Sequence, residues 1–457
     1  MADDPTLLPP YGVWQDPLPP SSPPPEWDGG GGGGGGGLWG NGNVNTGAPG
    51  ETEGADAPTC DGPNAFRVFD GNVRRIVDDL RIWQTNLVWK RTHNSRRELG
   101  GAERLFGSGG NWRHNWQYEL LARPGGGFAF VHPDGAQVEF TLAKDGSLLA
   151  PEGEPERASR RADGSIDITM ASGAVVRFLS ASVPGGNAAF VAVAAISNEG
   201  RGYTLVRDAE GNLRQIRDPE GRLLELGYAK IQVGQREETV VSHVKTGDGR
   251  RVDYLFESAL QTGGEHVCLI AAKYGDGTQA SYRYSTDADR VGSNAHLVEA
   301  DDPRYPGSAK QIAYSYYRPD ELPSKPEGMI KAESNPLTGK AWATLEIDAR
   351  APHVRVVRFS DERFHTYRFM SDGSGRVIEK SDGLGRAHRW TYGSATKSRR
   401  PTGMIAPDGK ATRFERDATG RLSSQQDHKG RVSASLRDAN GRIATMIDER
   451  GRKTFLR

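Results

Sequence analysis

The amino-acid sequence predicts an all-β chain, built of stacked β-hairpins that form one long curved or spiralling sheet. Three observations predict it. Alternating apolar and polar runs of four to six residues are cut repeatedly by Asp-Gly or Ser-Gly pairs, the pattern of short strands joined by tight turns. A unit Asp-x-x-Gly recurs eight times in register, and self-similarity at a fixed period marks a repeat architecture. Helical periodicity is weak everywhere and suggests a helix only near residues 72–81.

Residues 1–57 read as a disordered arm. Nine of the 27 prolines lie between Pro5 and Pro25, and nine consecutive glycines follow at Gly29–Gly37. Proline lacks a backbone donor and polyglycine has no side chain to bury, so neither builds a core. Trp14, Trp27 and Trp39 stand alone in this arm, which leaves open a proline-rich segment that docks on a neighbouring domain. Composition narrows function too. Across 457 residues, 59 basic side chains face 59 acidic ones. A dedicated nucleic-acid binder needs a positive excess to displace counterions, so no nucleic-acid partner is expected. No apolar run approaches the roughly 18 residues of a transmembrane helix, and Met1 opens no charged-then-apolar leader. Two cysteines, Cys60 and Cys268, build no disulfide framework.

Residues 58–195 form a β-rich, plug-like domain. It opens with dense aromatics from Asn64 and continues as a meander. Phe128–Val131 leads into Asp134-Gly135, and Val138–Leu142 leads into Asp145-Gly146. Ile166–Met170 and Val175–Leu179 flank Ser172-Gly173. Each run has strand length and each boundary has turn chemistry.

Residues 196–457 carry the repeats, with 229–360 degenerate. The units are Asp208…Gly211, Asp218…Gly221, Asp372…Gly375, Asp382…Gly385, Asp417…Gly420, Asp427…Gly430, Asp438…Gly441 and Asp448…Gly451. Spacings within the three sets are 10, 10, 10, 11 and 10 residues. Aspartate at the first position accepts a hydrogen bond from the backbone two residues on, and glycine at the fourth supplies a positive φ. With about six residues per strand, each pair of turns delimits one hairpin. A hairpin cannot bury its own face, so successive hairpins must stack. The arginine that follows most of these glycines reads as a cross-strand partner for the turn aspartate rather than as a basic patch.

One constellation outside the turns could carry chemistry: Trp83, Trp89, His93, Trp112, His114 and Trp116. It reads either as a packed plug core or as a ligand platform for sugars or a metal. No third ligand accompanies the histidines at metal-site spacing. A nucleophile elbow, a phosphate-binding loop and a zinc-protease helix are missing from the sequence. Catalytic residues, metal and cofactors are therefore expected to be none.

The stretch Tyr203–Tyr228, with Asp208, Gly211, Asp218 and Gly221, closely resembles the YD repeats of bacterial RHS proteins, which are related to teneurins. Residues 66–121 resemble the domain that often precedes such repeats. The marks are Asp78-Asp79-Leu80, Arg91-Thr92-His93-Asn94-Ser95-Arg96, Phe106-Gly107-Ser108-Gly109 and Asn111-Trp112-Arg113-His114. The resemblance implies a secreted or cell-surface polymorphic-toxin shell, not an enzyme, that encapsulates a C-terminal toxin domain for interbacterial competition. Secretion-system components or surface glycans are the other partners it implies, and a teneurin-like adhesion module is the alternative. The self-cleavage of such shells uses aspartates in a DPxGL-type segment. Asp218-Pro219-Glu220-Gly221-Arg222 matches it only superficially, so no protease role is placed on Asp218. The last repeat stops at Arg457, early in a strand, and the expectation is a piece of a longer shell, open at its C-terminal edge.

Overall fold

The computed structural model describes Phe66 and most residues from Gly71 to Phe455; 97–103, 183–187, 348–352, 360–365 and 394–400 are among those left undescribed. The proline- and glycine-rich arm, 1–57, lies outside the described residues, as do Cys60 and Trp83.

The described chain is all β. Strands β1 (Arg74–Arg81), β2 (Val88–Asn94) and β3 (Trp112–His114) form a small antiparallel sheet in the order β1-β2-β3. The weak helical pattern at 72–81 is thus a strand. Its residues alternate, with Arg75, Val77 and Asp79 facing the interior, and a strand buried on that face satisfies the same apolar spacing with period two. From β4 onward, each strand pairs antiparallel with the next. The series opens with β4 (Glu119–Ala122), β5 (Phe128–Val131), β6 (Gln137–Leu142), β7 (Leu148–Leu149) and β8 (Arg157–Arg160). It continues with β9 (Ile166–Thr169), β10 (Val175–Ser182), β11 (Ala188–Ile196) and β12 (Gly202–Arg207).

The start of this ribbon closes on itself. Phe190 and Val191 of β11 pair with Leu120 and Glu119 of β4, while Ala194–Ile196 of the same strand pair with β12. One edge of β11 therefore serves two neighbours. The handover falls at a register slip, where Arg177 faces Ala194 but Phe178 faces Ala192. The extra residue, Val193, is a bulge, and bulges bend a strand and raise its twist. Eight strands thus form a ring from which the sheet spirals away. An open sheet is what the sequence predicts; the ring is the difference, because pairing between β4 and β11 spans a separation that local turn signals do not report. The sheet is also continuous through residue 196, where the sequence suggests a domain boundary.

From β12 the ribbon runs through β13 (Leu213–Arg217), β14 (Leu223–Val233), β15 (Arg236–Thr246), β16 (Arg251–Gln261) and β17 (Gly264–Tyr274). Next come β18 (Gln279–Tyr284), β19 (Leu297–Asp301), β20 (Gln311–Tyr316) and β21 (Ile330–Ser334). Hairpins continue in single file to Lys453–Phe455. Period two is plain in β18, where Ala280, Tyr282 and Tyr284 are buried and Gln279, Ser281 and Arg283 are exposed. The segment that reads as degenerate in sequence is the longest-stranded in space: β14 to β17 have 11 residues each. Their outer halves carry a satellite core of Val233, Val240 and Val267.

The turns explain the repeat. At Asp382 the carboxylate Oδ1 accepts the backbone N–H groups of Leu384 and Arg386, both at 2.9 Å. Its Oδ2 accepts Nε of Arg386 at 2.6 Å, and Gly385 donates its N–H to the Asp382 carbonyl at 3.0 Å. Asp218, Asp427 and Asp448 bind Arg222, Arg431 and Arg452 in the same way. The arginine thus pairs with the turn aspartate across the two strands of one hairpin, where Asp382 also donates its N–H to the Arg386 carbonyl at 3.0 Å. Gly375, Gly420 and Gly441 lie outside the described residues. Gly385 has φ +77° with open space where a Cβ would stand, so only backbone strain opposes a side chain there. Gly385→Val is expected to cost about 1–2 kcal/mol. Arg386→Ala, which removes a mostly exposed ion pair, is expected to cost at most about 1 kcal/mol. Denaturant midpoints in the reverse order would refute this account of the turn.

Tyrosine is the second recurring device. Tyr228 and Tyr392 each lie 20 residues after a turn aspartate (Asp208, Asp372). Their hydroxyls donate to the carbonyls of Leu213 and Val377, both at 2.8 Å, and Arg214 and Arg376 cover their rings. A hydroxyl that reaches back to the first residue after the turn ties each hairpin to its successor. Tyr284 repeats the bond to Leu269 at 2.8 Å.

Candidate functional site

The small sheet packs against the buried face of the ribbon, and their junction holds the densest chemistry in the molecule. Strand β1 presents Asp79 and β2 presents Arg91, both side chains fully buried. Arg91 Nε donates to Asp79 Oδ2 at 2.5 Å and its Nη2 to Oδ1 at 2.8 Å. The ribbon completes the cluster. Tyr254 and Tyr274 donate their hydroxyl hydrogens to Asp79 at 2.5 and 2.9 Å, and Tyr282 donates to Asp302. Arg91 also donates to Tyr282 at 3.0 Å and lies 3.8 Å from Asp302. Burial alone pulls the guanidinium toward its neutral form, but Asp79, then Tyr282, hold its pKa well above the ordinary value. Burial, with Asp79 or Asp302 beside them, pushes the Tyr254 and Tyr282 phenols well up. One cation therefore sits between two carboxylates, with hydroxyls aimed at the remaining lone pairs. Such a cluster holds a junction together.

The tryptophan–histidine constellation surrounds this cluster. Trp89 donates to the Tyr254 hydroxyl at 2.8 Å and Trp112 to that of Tyr284 at 2.9 Å. Trp116 donates to the Val88 carbonyl at 2.8 Å. Trp89 stacks on His114 with centroids 4.3 Å apart, and His93 lies 5.2 Å from Trp112. These five side chains are at most 2% exposed, so they offer no face to a glycan; Trp83 is outside the described residues. Burial, then His296 and Arg75, hold His93 at about 3. Burial, then Arg113 and Arg207, keep His114 well below its ordinary value. Both are neutral core rings. Among the described residues no group of three or more His, Cys, Asp or Glu side chains could hold a metal.

A loop, Phe106–Asn111, pins the junction from outside. Gly109 donates its N–H to the Val267 carbonyl at 2.8 Å and Gly110 to that of Ala295 at 3.2 Å. Ser108 donates its N–H to Glu238 at 2.9 Å and accepts that of Val267 at 3.1 Å. The long outer halves of β15 and β17 exist to meet this loop. Sequence reasoning marks the loop, Asp79 and Arg91 as part of a segment but misses their partners. Tyr254, Tyr274 and Asp302 sit in the irregular middle, and only the period-two position of each tyrosine could have flagged an inward hydroxyl.

Comparison with known proteins finds similar sequences and structures. A model for a domain of unknown function, DUF6531, matches residues 68–140, which cover the small sheet and the first ribbon strands. Toxin protein Tse5 of Pseudomonas aeruginosa is 34% identical over 107 residues, 23% of this chain and 8% of that protein. Among solved structures, TcdB2-TccC3-TEV overlaps 82% of this chain and 23% of its own at 10% identity and a TM-score of 0.33. The Photorhabdus luminescens Tc holotoxin pore overlaps 82% and 22% at 10% identity and a TM-score of 0.30. The chain spans less than a quarter of the length of each of these relatives. With aspartate–glycine turns and tying tyrosines repeated along one spiralling sheet behind the matched segment, the chain resembles the RHS-type, YD-repeat proteins.

Proposed function

We propose that this chain is a non-catalytic shell segment of a secreted RHS-type toxin protein, which encloses a C-terminal toxin cargo and delivers it in competition between bacteria. The observation that carries the reading is the single-file antiparallel sheet, closed into a ring at β4–β11 and continued by hairpins that cover one buried face. A continuous wall leaves few edges to attract foreign strands and separates an inside from an outside. The likeness to a protein named as a toxin supports the cargo. Secretion-system components, or glycans at the target surface, are the partners that delivery requires. An adhesion role centred on the tryptophans is disfavoured by their burial.

The test is proteolysis of the product of the complete gene. Polypeptide following Arg457 is expected to resist protease in native buffer and to be digested rapidly after denaturation. A reading frame that stops at codon 457, or equally fast digestion in both states, overturns the cargo reading. A glycan array with Trp112→Ala and Trp116→Ala controls checks the alternative. Binding lost in variants that remain folded would restore it.

A further inference from the structure

The junction between the small sheet and the ribbon carries a second feature, apart from the Asp79–Arg91 cluster. A cavity of about 10 Å³, room for a single water, is lined by His93, Asn94, Ser95, Ser108, Asn111 and His296 among others. His93 is on β2; His296 precedes β19 and is 3% exposed. Ser108 and Asn111 belong to the pinning loop. The Nδ1 atom of His93 is buried without a hydrogen-bond partner. The charged and titratable groups that bear on His93 are Arg75 of β1 and His296. Around them stand the rings of Trp112, 5.2 Å from His93, and of Tyr316 on β20, 5.4 Å from His296. A proton arriving at His93 thus meets a guanidinium and a second imidazole, in a seam where both histidines are buried.

We propose that this histidine seam is an acid-sensitive latch, in which protonation of His93 against Arg75 and His296 frees the Phe106–Asn111 loop from the ribbon. The sign follows from linkage. Burial first, then His296 and Arg75, hold His93 at about 3 in the closed seam, and solvent returns it to the ordinary value near 6.5 once the seam opens. The closed form has its full advantage above about pH 6.5 and loses it as pH falls toward 3. Within that window, one proton taken up on opening raises the open fraction about tenfold per pH unit. Acid loosening of this seam does not depend on what, if anything, the shell contains.

Cys268 is a built-in reporter. It is 1% exposed, and the loop lies directly on it: a Cβ at Gly109 would stand 2.4 Å from its Sγ. The experiment is labelling of Cys268 by a dithiodipyridine in the whole chain with Cys60→Ser, from about pH 7.5 to about pH 5. Rates are divided by those of the denatured chain at each pH, and far-UV circular dichroism is followed in parallel. The open fraction is expected to rise about tenfold per pH unit below pH 6.5 while the strand signal holds. His93→Gln is expected to flatten this slope by about one proton, with His93→Asn as a second variant should the first not fold. His388→Gln, on the strand Ala387–Thr391, is expected to leave the slope unchanged. An open fraction in the wild-type chain that does not vary with pH overturns the latch. So does an equal flattening by His388→Gln, or a strand signal lost in step with labelling, since either means global unfolding.

Discussion

Arg91→Ala is expected to destabilise the chain by about 3–5 kcal/mol. The guanidinium is fully buried and makes two hydrogen bonds to Asp79, with Asp302 3.8 Å away. Truncation leaves two buried carboxylates without their cation, and the tyrosine hydroxyls supply dipoles, not charge. The loss is expected to be far from additive with Asp79→Ala, because the double variant removes one of the two uncompensated carboxylates along with its partner. Their coupling should fall in the range of about 0.5–3 kcal/mol seen for residues in one network. Denaturant midpoints for the two single variants and the double variant measure it. A loss below about 1 kcal/mol for Arg91→Ala, the range of an exposed pair, would mean that the small sheet is not locked to the ribbon through this cluster.

That cluster shows where the sequence is legible and where it is not. The turns are legible because their chemistry is local: Asp382 and Gly385 act within five residues, and the whole hydrogen-bond set is written in Asp-x-x-Gly-Arg. The strands Phe128–Val131 and Val175–Ser182 are legible because alternation fixes both length and face. The ring is not, since β4 and β11 meet through two residues each, some 70 positions apart. The strand at 74–81 is easily misjudged because Arg75, Asp79 and Asp78 hide its period; two of those charges point inward to partners far away in sequence. The tryptophan cluster is recognisable as dense but stays between core and platform. Only the positions of Tyr254 and Tyr284, on strands that read as degenerate, decide between the two.

Trp112→Ala is expected to cost about 3–5 kcal/mol, the other large effect of a single side chain. The indole is 2% exposed and lies between the small sheet and the ribbon. Its ring carries the Arg91 guanidinium 4.9 Å from the centroid and meets Tyr282 at 5.0 Å, and its Nε1 donates to the Tyr284 hydroxyl. Truncation therefore opens a cavity and removes a cation–π contact from the charge that locks the seam. Trp112→Phe keeps most of the area and loses the donor. Because Tyr284 still donates to the Leu269 carbonyl at 2.8 Å, this variant is expected to cost only about 1–2 kcal/mol. The ordering Trp112→Ala well below Trp112→Phe, and both below the parent, is the signature of a packed joint. Equal midpoints for all three chains would mean that the indole contributes little packing and would return it to the role of a ligand contact.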